Sequence, residues 1–99
     1  MYKSIILPPA KQDIRNAAKW YNGKQKGPRK KFTKQVREKI IYIRRYPEHI
    51  AIRYSDNRTA VLDIFPYMIH FSIDRKNKTI IISAVLNTYR NPKTWKTQE

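Results

Sequence analysis

The sequence predicts an α+β fold in which a helical hairpin packs on one face of a small, mostly antiparallel sheet. A short apolar run opens the chain, two segments with helical spacing follow, and alternating apolar segments fill the second half. The predicted element order is therefore β-α-α-β-β-β. At 99 residues, the chain is expected to form one domain, residues 1–99, with a core that needs no disulfide.

The first predicted strand covers residues 2–7, YKSIIL, which is too short and too rich in isoleucine for a helix. Pro9 suits the first turn of the next helix, because a proline there loses no needed N–H. Small and apolar residues then recur at helical spacing, at Ala10, Ile14, Ala17, Ala18 and Tyr21. The NGKQKGP segment ends this helix, and Trp20 is expected to pack in the core or in the hairpin.

The second predicted helix is strongly basic. Its apolar stripe consists of Phe32, Val36, Ile40 and Ile43, and Pro47 ends it. Residues 10–46 contain thirteen Lys and Arg but only two acidic residues, a net charge of +11. A charged helix face is usually just a solvated face, yet this density favours an anionic neighbour because the charges repel each other.

Three strands are predicted after the hairpin, over residues 58–64, 67–74 and 79–87. The last one is apolar on both faces, which is typical of a central strand. In the middle one, Tyr67, Ile69 and Phe71 alternate with polar residues that include His70. One face of the sheet is thus predicted to be buried and the other wet, with His70 in solvent.

Composition restricts the classes of function. The formal charge of +15 and a pI near 10.3 predict attraction to polyanions such as nucleic acid or an acidic protein. With no cysteine and two histidines, no metal site and no cofactor is predicted. No apolar run is long enough for a signal peptide or a membrane span, so the expected location is the cytoplasm, without membrane contact.

Several motifs follow one another along the chain: SIILPPAKQDI, WYN, FPYMIHFSID and AVLNTYRNPKTW. In this order and spacing they resemble the RelE/ParE superfamily of bacterial toxins, with the late patterns matching over residues 58–71 and 82–95. The resemblance implies the fold described above. It also implies the toxin of a type II toxin–antitoxin system, a growth inhibitor silenced by a cognate protein antitoxin.

Two modes of action exist in the superfamily that the chain resembles. RelE-like members cleave mRNA on the ribosome, and ParE-like members poison DNA gyrase without being hydrolases. The FPY and RxPxxW patterns resemble the ParE side and its plasmid-stabilisation relatives, while the positive charge suits RNA. Asn87 stands where many relatives have histidine, and an asparagine cannot act as acid or base. Both targets stay open, as does a non-toxic RNA- or DNA-binding module.

Metal-free RNA cleavage needs proton transfer and stabilisation of the charge on phosphorus. Arg58 and Arg90 are candidates to clamp the phosphate, and His70 and Tyr89 are candidate proton carriers. If they converge on the wet face, they form the catalytic cluster. Further residues are expected to bind nucleic acid or another target, namely Arg53, Tyr67, Asn87, Lys30, Lys34 and Arg37.

Each candidate also has a structural interpretation. His70 is alternatively a surface histidine paired to Asp63 or to backbone, and Tyr67 alternatively holds the edge of the core. Arg90 is alternatively a solvated arginine, and Trp95 is expected to pack against the sheet. Arg53 and Arg58 flank the predicted turn, and such neighbouring arginines repel each other unless an anion joins them.

Overall fold

The computed structural model describes residues 1–24 and 28–89, and for residues 22–24 and 28–30 it describes the backbone alone. The predictions for Arg90 and Trp95 lie outside the described residues. In chain order the elements are β1 (Lys3–Ile6), α1 (Pro8–Lys24), α2 (Pro28–Arg45), a 3₁₀ helix (Pro47–His49), β2 (Ile52–Tyr54), β3 (Asn57–Val61), β4 (Tyr67–Asp74) and β5 (Thr79–Asn87).

The predicted fold class is confirmed, with one strand added. The strands form a single sheet in the order β1-β5-β4-β3-β2, in which β1 runs parallel to β5 and the other neighbours are antiparallel. Strand β5 therefore lies between β1 and β4, as its apolar character on both faces predicts. The added strand is β2, whose three residues are too few to show a periodic pattern.

The helical hairpin covers one face of the sheet. The predicted stripe of α2, which consists of Phe32, Val36, Ile40 and Ile43, is buried. From α1 come the small buried residues Ala10, Ala17 and Ala18, which allow the helix backbone to approach the sheet closely. Trp20 is not part of the core, since it remains 55 % exposed, and its packing in the hairpin stays a prediction. Among the described helices, none is both long and apolar enough to cross a membrane.

The strand registers assign side chains to the two faces. Ile69 of β4 lies opposite Ala60 and Val85, and all three are buried in the core under the helices. A bulge follows in β5, because Ala84 lies opposite His70 whereas Ile82 lies opposite the next residue of β4. The extra residue in β5 keeps both ends of this long strand in phase with the core.

The face away from the helices is not fully wet. Met68, Ala84 and Leu86 are buried there and form a second, smaller apolar cluster, with Tyr54 of β2 packed against it. The prediction of a wet face is therefore wrong around the centre of β4. Alternation showed correctly which residues share a face, but it does not indicate whether that face is covered.

Candidate functional site

The residues proposed for RNA chemistry do not gather on one sheet face. Arg58 lies directly opposite Phe71 in the β3–β4 ladder, and Thr59 lies opposite His70. Because opposite residues share a face and successive residues alternate, Arg58 and His70 point to opposite faces. The prediction that these two side chains converge on one phosphate is wrong. Their individual catalytic roles stay predictions.

His70 is buried, contrary to the prediction that it reaches solvent. Its exposed fraction is 0 %, and the hydroxyl oxygen of Tyr54 lies 2.9 Å from its Nδ1 atom. The alternative pairing with Asp63 is not observed either, since the Asp63 carboxylate instead lies 3.4 Å from the ammonium of Lys39. We call the buried site around His70, Tyr54 and Thr59 the His70 pocket.

The protonation of His70 follows from this burial. Burial, together with the smaller effect of the positive charge of Arg53, lowers the pKa of His70 to about 4. The imidazole is therefore neutral at neutral pH. A buried neutral histidine bonded to a tyrosine is poorly placed to exchange protons with a bound phosphate.

Arg58 acts on the backbone of the segment before β2. Its Nη1 atom donates a hydrogen bond of 2.7 Å to the carbonyl oxygen of Ile50. This bond fastens the chain between the 3₁₀ helix and β2 to strand β3. Arg53 is exposed, and its charge acts on the His70 pocket. An anion shared by the two arginines stays a prediction.

An open groove of about 560 Å³ lies between α1 and the adjoining ends of β4 and β5. Its lining combines aromatic and polar side chains, among them Trp20, Tyr21, Tyr67, Tyr89, Asp13, Asn16 and Asn87. Tyr89 is 86 % exposed, so its ring extends into solvent at the rim. Three residues named from the sequence, Tyr67, Asn87 and Tyr89, thus line the same groove.

The floor of the groove is an aromatic cluster. The ring of Tyr21 lies 5.5 Å from Phe32, 4.8 Å from Phe65 and 6.3 Å from Tyr67, measured between centroids. Burial, and then interaction with Tyr67, raises the pKa of Tyr21. Trp20 meets Tyr21 edge-on at 4.8 Å. Such packed rings have little freedom, so the groove is shaped before any partner arrives.

Asp13 fastens α1 to the sheet and thereby positions one wall of the groove. Strand β1 ends at Ile6, so beyond Ile82 none of the described strands lies beside β5 on that edge. The N–H of Val85, in this part of β5, donates a hydrogen bond of 3.0 Å to the Asp13 carboxylate. The side chain thus takes the place of a missing strand, since an unpaired buried N–H is costly.

The rim of the groove is set by the turn after β5. Asn87 lies opposite Tyr67 in the β4–β5 ladder, and its side-chain oxygen accepts a hydrogen bond of 2.7 Å from the N–H of Tyr89. The N–H of Thr88 donates to the carbonyl of Pro66 at 2.8 Å. These two bonds fix the backbone that carries the exposed Tyr89 ring. Asn87 therefore shapes the rim.

The basic residues of α2 that were named as target contacts lie away from the groove. Lys34 and Arg37 are exposed, and the Lys34 ammonium is 3.9 Å from the carboxylate of Glu38. Exposed pairs of this kind contribute little stability, so these charges act mainly at long range. The side chain of Lys30 lies outside the described residues. Target binding by all three stays a prediction.

Two groups of residues at these sites were missed from the sequence. Tyr54 was missed because the short strand that carries it was not predicted. Asp13, Asn16 and Trp20 had a detectable signal, since their spacing of three and four residues puts them on one face of α1. A carboxylate, an amide and an indole on the face that meets the sheet indicate a site at the helix edge.

Chemically, the groove is suited to binding. Aromatic walls with a few polar groups are typical of surfaces that hold a peptide segment or another protein. Across residues 1–24 and 28–89, no three His, Asp or Glu side chains come together in a way that could hold a metal ion.

Comparison with protein-family models agrees with this architecture. The model described as the ParE toxin of the type II toxin–antitoxin system parDE matches residues 5–92. The chain therefore belongs to the ParE toxin family, and the resemblance noted from its motifs is confirmed. Its functional class is that of a type II toxin, which implies a cognate antitoxin. A search of curated proteins found no match.

Proposed function

We propose that this toxin inhibits bacterial growth by binding DNA gyrase and does not cut mRNA. The observation that supports this choice is the state of His70, which is fully buried, bonded to Tyr54 and neutral with a pKa of about 4. A general acid or base works best when its pKa is near the ambient pH and its proton reaches the substrate. His70 meets neither condition. In this proposal the toxin acts in the cytoplasm, where bacterial gyrase is found.

The groove residues suit contact better than proton transfer. Asn87 carries an amide, which does not act as acid or base. Tyr89 and Trp20 offer large exposed rings at the rim, and such rings supply much of the binding energy at protein interfaces. A toxin that acts by contact needs a surface of this kind.

We propose further that the cognate antitoxin neutralises the toxin by seating an amphipathic segment in the groove. An apolar helix face fits a preformed aromatic groove, and its side chains at helical spacing would meet Trp20 and Tyr67. The toxin's formal charge of +15 would speed association with an acidic antitoxin.

The first experiment tests the target by two assays run in parallel. In the first assay, purified toxin is added to DNA gyrase, and supercoiling and DNA cleavage are measured. In the second, it is added to a cell-free translation reaction, and primer extension detects cuts in the mRNA. We expect inhibited supercoiling and gyrase-linked DNA breaks, with intact mRNA. Ribosome-dependent mRNA cleavage without an effect on gyrase would overturn the proposal. Inactivity in both assays would favour the non-toxic binding module.

A second experiment tests the antitoxin. The toxin is co-expressed with the small gene beside its own, and the affinity of the purified pair is measured by calorimetry. We expect Trp20→Ala to weaken the complex about tenfold to a hundredfold, as for a buried interface anchor. Ile64→Ala is the matched control, because Ile64 is 70 % exposed and outside the groove. Purification of free toxin alone would count against this partner.

A further inference from the structure

A line of exposed rings runs along the outer side of α2, apart from the groove. Tyr42 lies in α2, Tyr46 follows the end of this helix, and His49 ends the 3₁₀ helix. Contacts between their rings bring the three together. Tyr42 and Tyr46 are 42 % and 44 % exposed, and His49 is exposed as well. None of the three lines the groove. We call these residues the aromatic stripe.

The rings of the aromatic stripe hold one another in place. Tyr46 and His49 are stacked, with centroids 4.9 Å apart and planes within 11° of parallel. The Tyr42 centroid lies 5.4 Å from that of Tyr46, and the Tyr42 hydroxyl is 3.4 Å from Nδ1 of His49. A flat ligand stacking on these rings would therefore cost little side-chain entropy.

The charge balance around the aromatic stripe is positive. The nearby carboxylates are each matched by a cation, in the pairs Lys34–Glu38, Lys39–Asp63 and Arg75–Glu48 at 3.9, 3.4 and 2.9 Å. The ammonium of Lys39 lies 5.7 Å from the centre of the Tyr42 ring. Arg45 precedes Tyr46 and is exposed. Its guanidinium can donate hydrogen bonds to an anion.

Exposed rings on a basic surface suit single-stranded nucleic acid, because bases stack on rings and phosphates bind cations. We propose that the aromatic stripe, with Arg45, is a stacking platform for single-stranded nucleic acid. An uncharged apolar partner would use the rings but not the chain's +15 charge. This platform is separate from the groove and does not depend on the proposed action on gyrase.

The test measures the affinity of the full chain for labelled oligo(dT) and oligo(rU) by fluorescence anisotropy at several salt concentrations. Tyr46→Leu removes the ring but keeps apolar volume, and we expect about a tenfold loss of affinity with an unchanged salt slope. Tyr42→Leu is expected to act alike, and Tyr46→Phe to retain affinity. Arg45→Gln is expected to reduce the slope of log affinity against log salt by about 0.7.

Two matched controls locate the effect. Ile41→Ala removes an exposed side chain of α2 that has no ring, and Lys3→Gln removes a charge from β1. Both are expected to change affinity by no more than about twofold. Thermal unfolding verifies that each variant is folded, and Tyr42→Leu replaces Tyr46→Leu if the latter unfolds.

Three results would overturn the proposal of a stacking platform. The first is a ring variant that binds as well as Ile41→Ala. The second is a duplex of equal length bound as tightly as the single strand, since a duplex hides its base faces. The third is polyglutamate competing as well as an oligonucleotide, because that would reduce the interaction to charge alone.

Discussion

The groove and the His70 pocket lie on opposite faces of the same strand, and they offer opposite environments. Tyr67 of β4 faces the groove, which is open and has exposed rings at its rim. His70, three residues later, is sealed beneath Tyr54 on the other face. Only the Tyr67 end of the helix-covered face of β4 borders the groove, whereas His70 is buried on the other face.

This difference shows that the side chain best suited to proton transfer is buried, whereas the accessible side chains of the groove are suited to contact. Histidine is the residue most associated with proton transfer near neutral pH, yet the buried His70 is out of reach of a substrate. Thr59 lies beside it with its hydroxyl oxygen buried and, within the described residues, without a hydrogen-bond partner. Burial of these polar groups makes an added charge in the His70 pocket costly.

The largest expected effect comes from removing the exposed rings of the groove. Trp20→Ala combined with Tyr89→Ala should weaken binding to gyrase at least about a hundredfold, because two interface anchors are lost. His70→Gln should change that affinity by no more than about twofold. Surface plasmon resonance, with thermal unfolding to verify the fold, measures both. If His70→Gln weakens binding to gyrase more than the double variant does, the His70 pocket, and not the groove, is the binding site.

The next effect concerns pH and belongs to the His70 pocket. In the unfolded chain His70 titrates near its ordinary pKa of about 6.5, whereas in the folded protein its pKa is about 4. Between these values the unfolded state binds more protons, so lowering the pH destabilises the fold. The stabilisation by neutral His70 is complete above pH 6.5, and roughly 3 kcal/mol of it is lost by pH 4.

Urea unfolding from pH 7.5 to pH 4 measures this loss, and His70→Gln is the control because glutamine does not titrate. As the pH falls over this range, the wild type should lose roughly 3 kcal/mol more of its free energy of unfolding than the variant does. The comparison removes the contribution of carboxylates such as Asp74, whose pKa is lowered by hydrogen bonds from Asn77. A difference that stays constant with pH would contradict a buried neutral histidine.

A smaller effect is expected where α1 is fastened to β5. Asp13→Ala leaves the N–H of Val85 without its acceptor, which should cost about 1–3 kcal/mol of stability. Asp13→Asn should cost less, because an amide oxygen can still accept this bond. Denaturant unfolding gives the free energies, and amide exchange should be faster at Val85 than at Ile69. An unchanged Asp13→Ala variant would show that the bond is dispensable.

The smallest effect is expected from Tyr54→Phe. This change deletes the hydroxyl that bonds to His70 and keeps the ring, so it should cost about 0.5–1.5 kcal/mol of stability. Toxicity at equal expression should stay the same, because Tyr54 does not line the groove. Loss of toxicity in a folded variant would mean that the pocket takes part in the action.

Much of the fold was accessible from the sequence, because burial of one side of a helix or strand leaves a periodic pattern. Two examples are the buried stripe of α2, from Phe32 to Ile43, and the alternation of side chains along β4. Strand β2 was not accessible, since three residues show no period. The burial of His70 was missed as a result, since Tyr54, whose hydroxyl bonds to His70, belongs to β2.

The candidate site was predicted in part. Tyr67 and Asn87 were named separately, and they meet because they are opposite each other at the ends of antiparallel strands. Arg58 was placed on the wrong face, although it precedes Ala60 by two residues and so shares its phase. The contribution of α1 to the groove depended on how the helix lies over the sheet, which local patterns do not specify.

The pairing of the first strand with the last has a consequence for synthesis. Lys3 of β1 lies opposite Thr79 of β5, so their ladder joins residues that leave the ribosome far apart in time. The helical hairpin has local contacts and can form early, whereas β1 must wait for β5. The rim at Asn87 and Tyr89 follows later still. Within the described residues, the rim of the groove is therefore among the last parts that can form during synthesis.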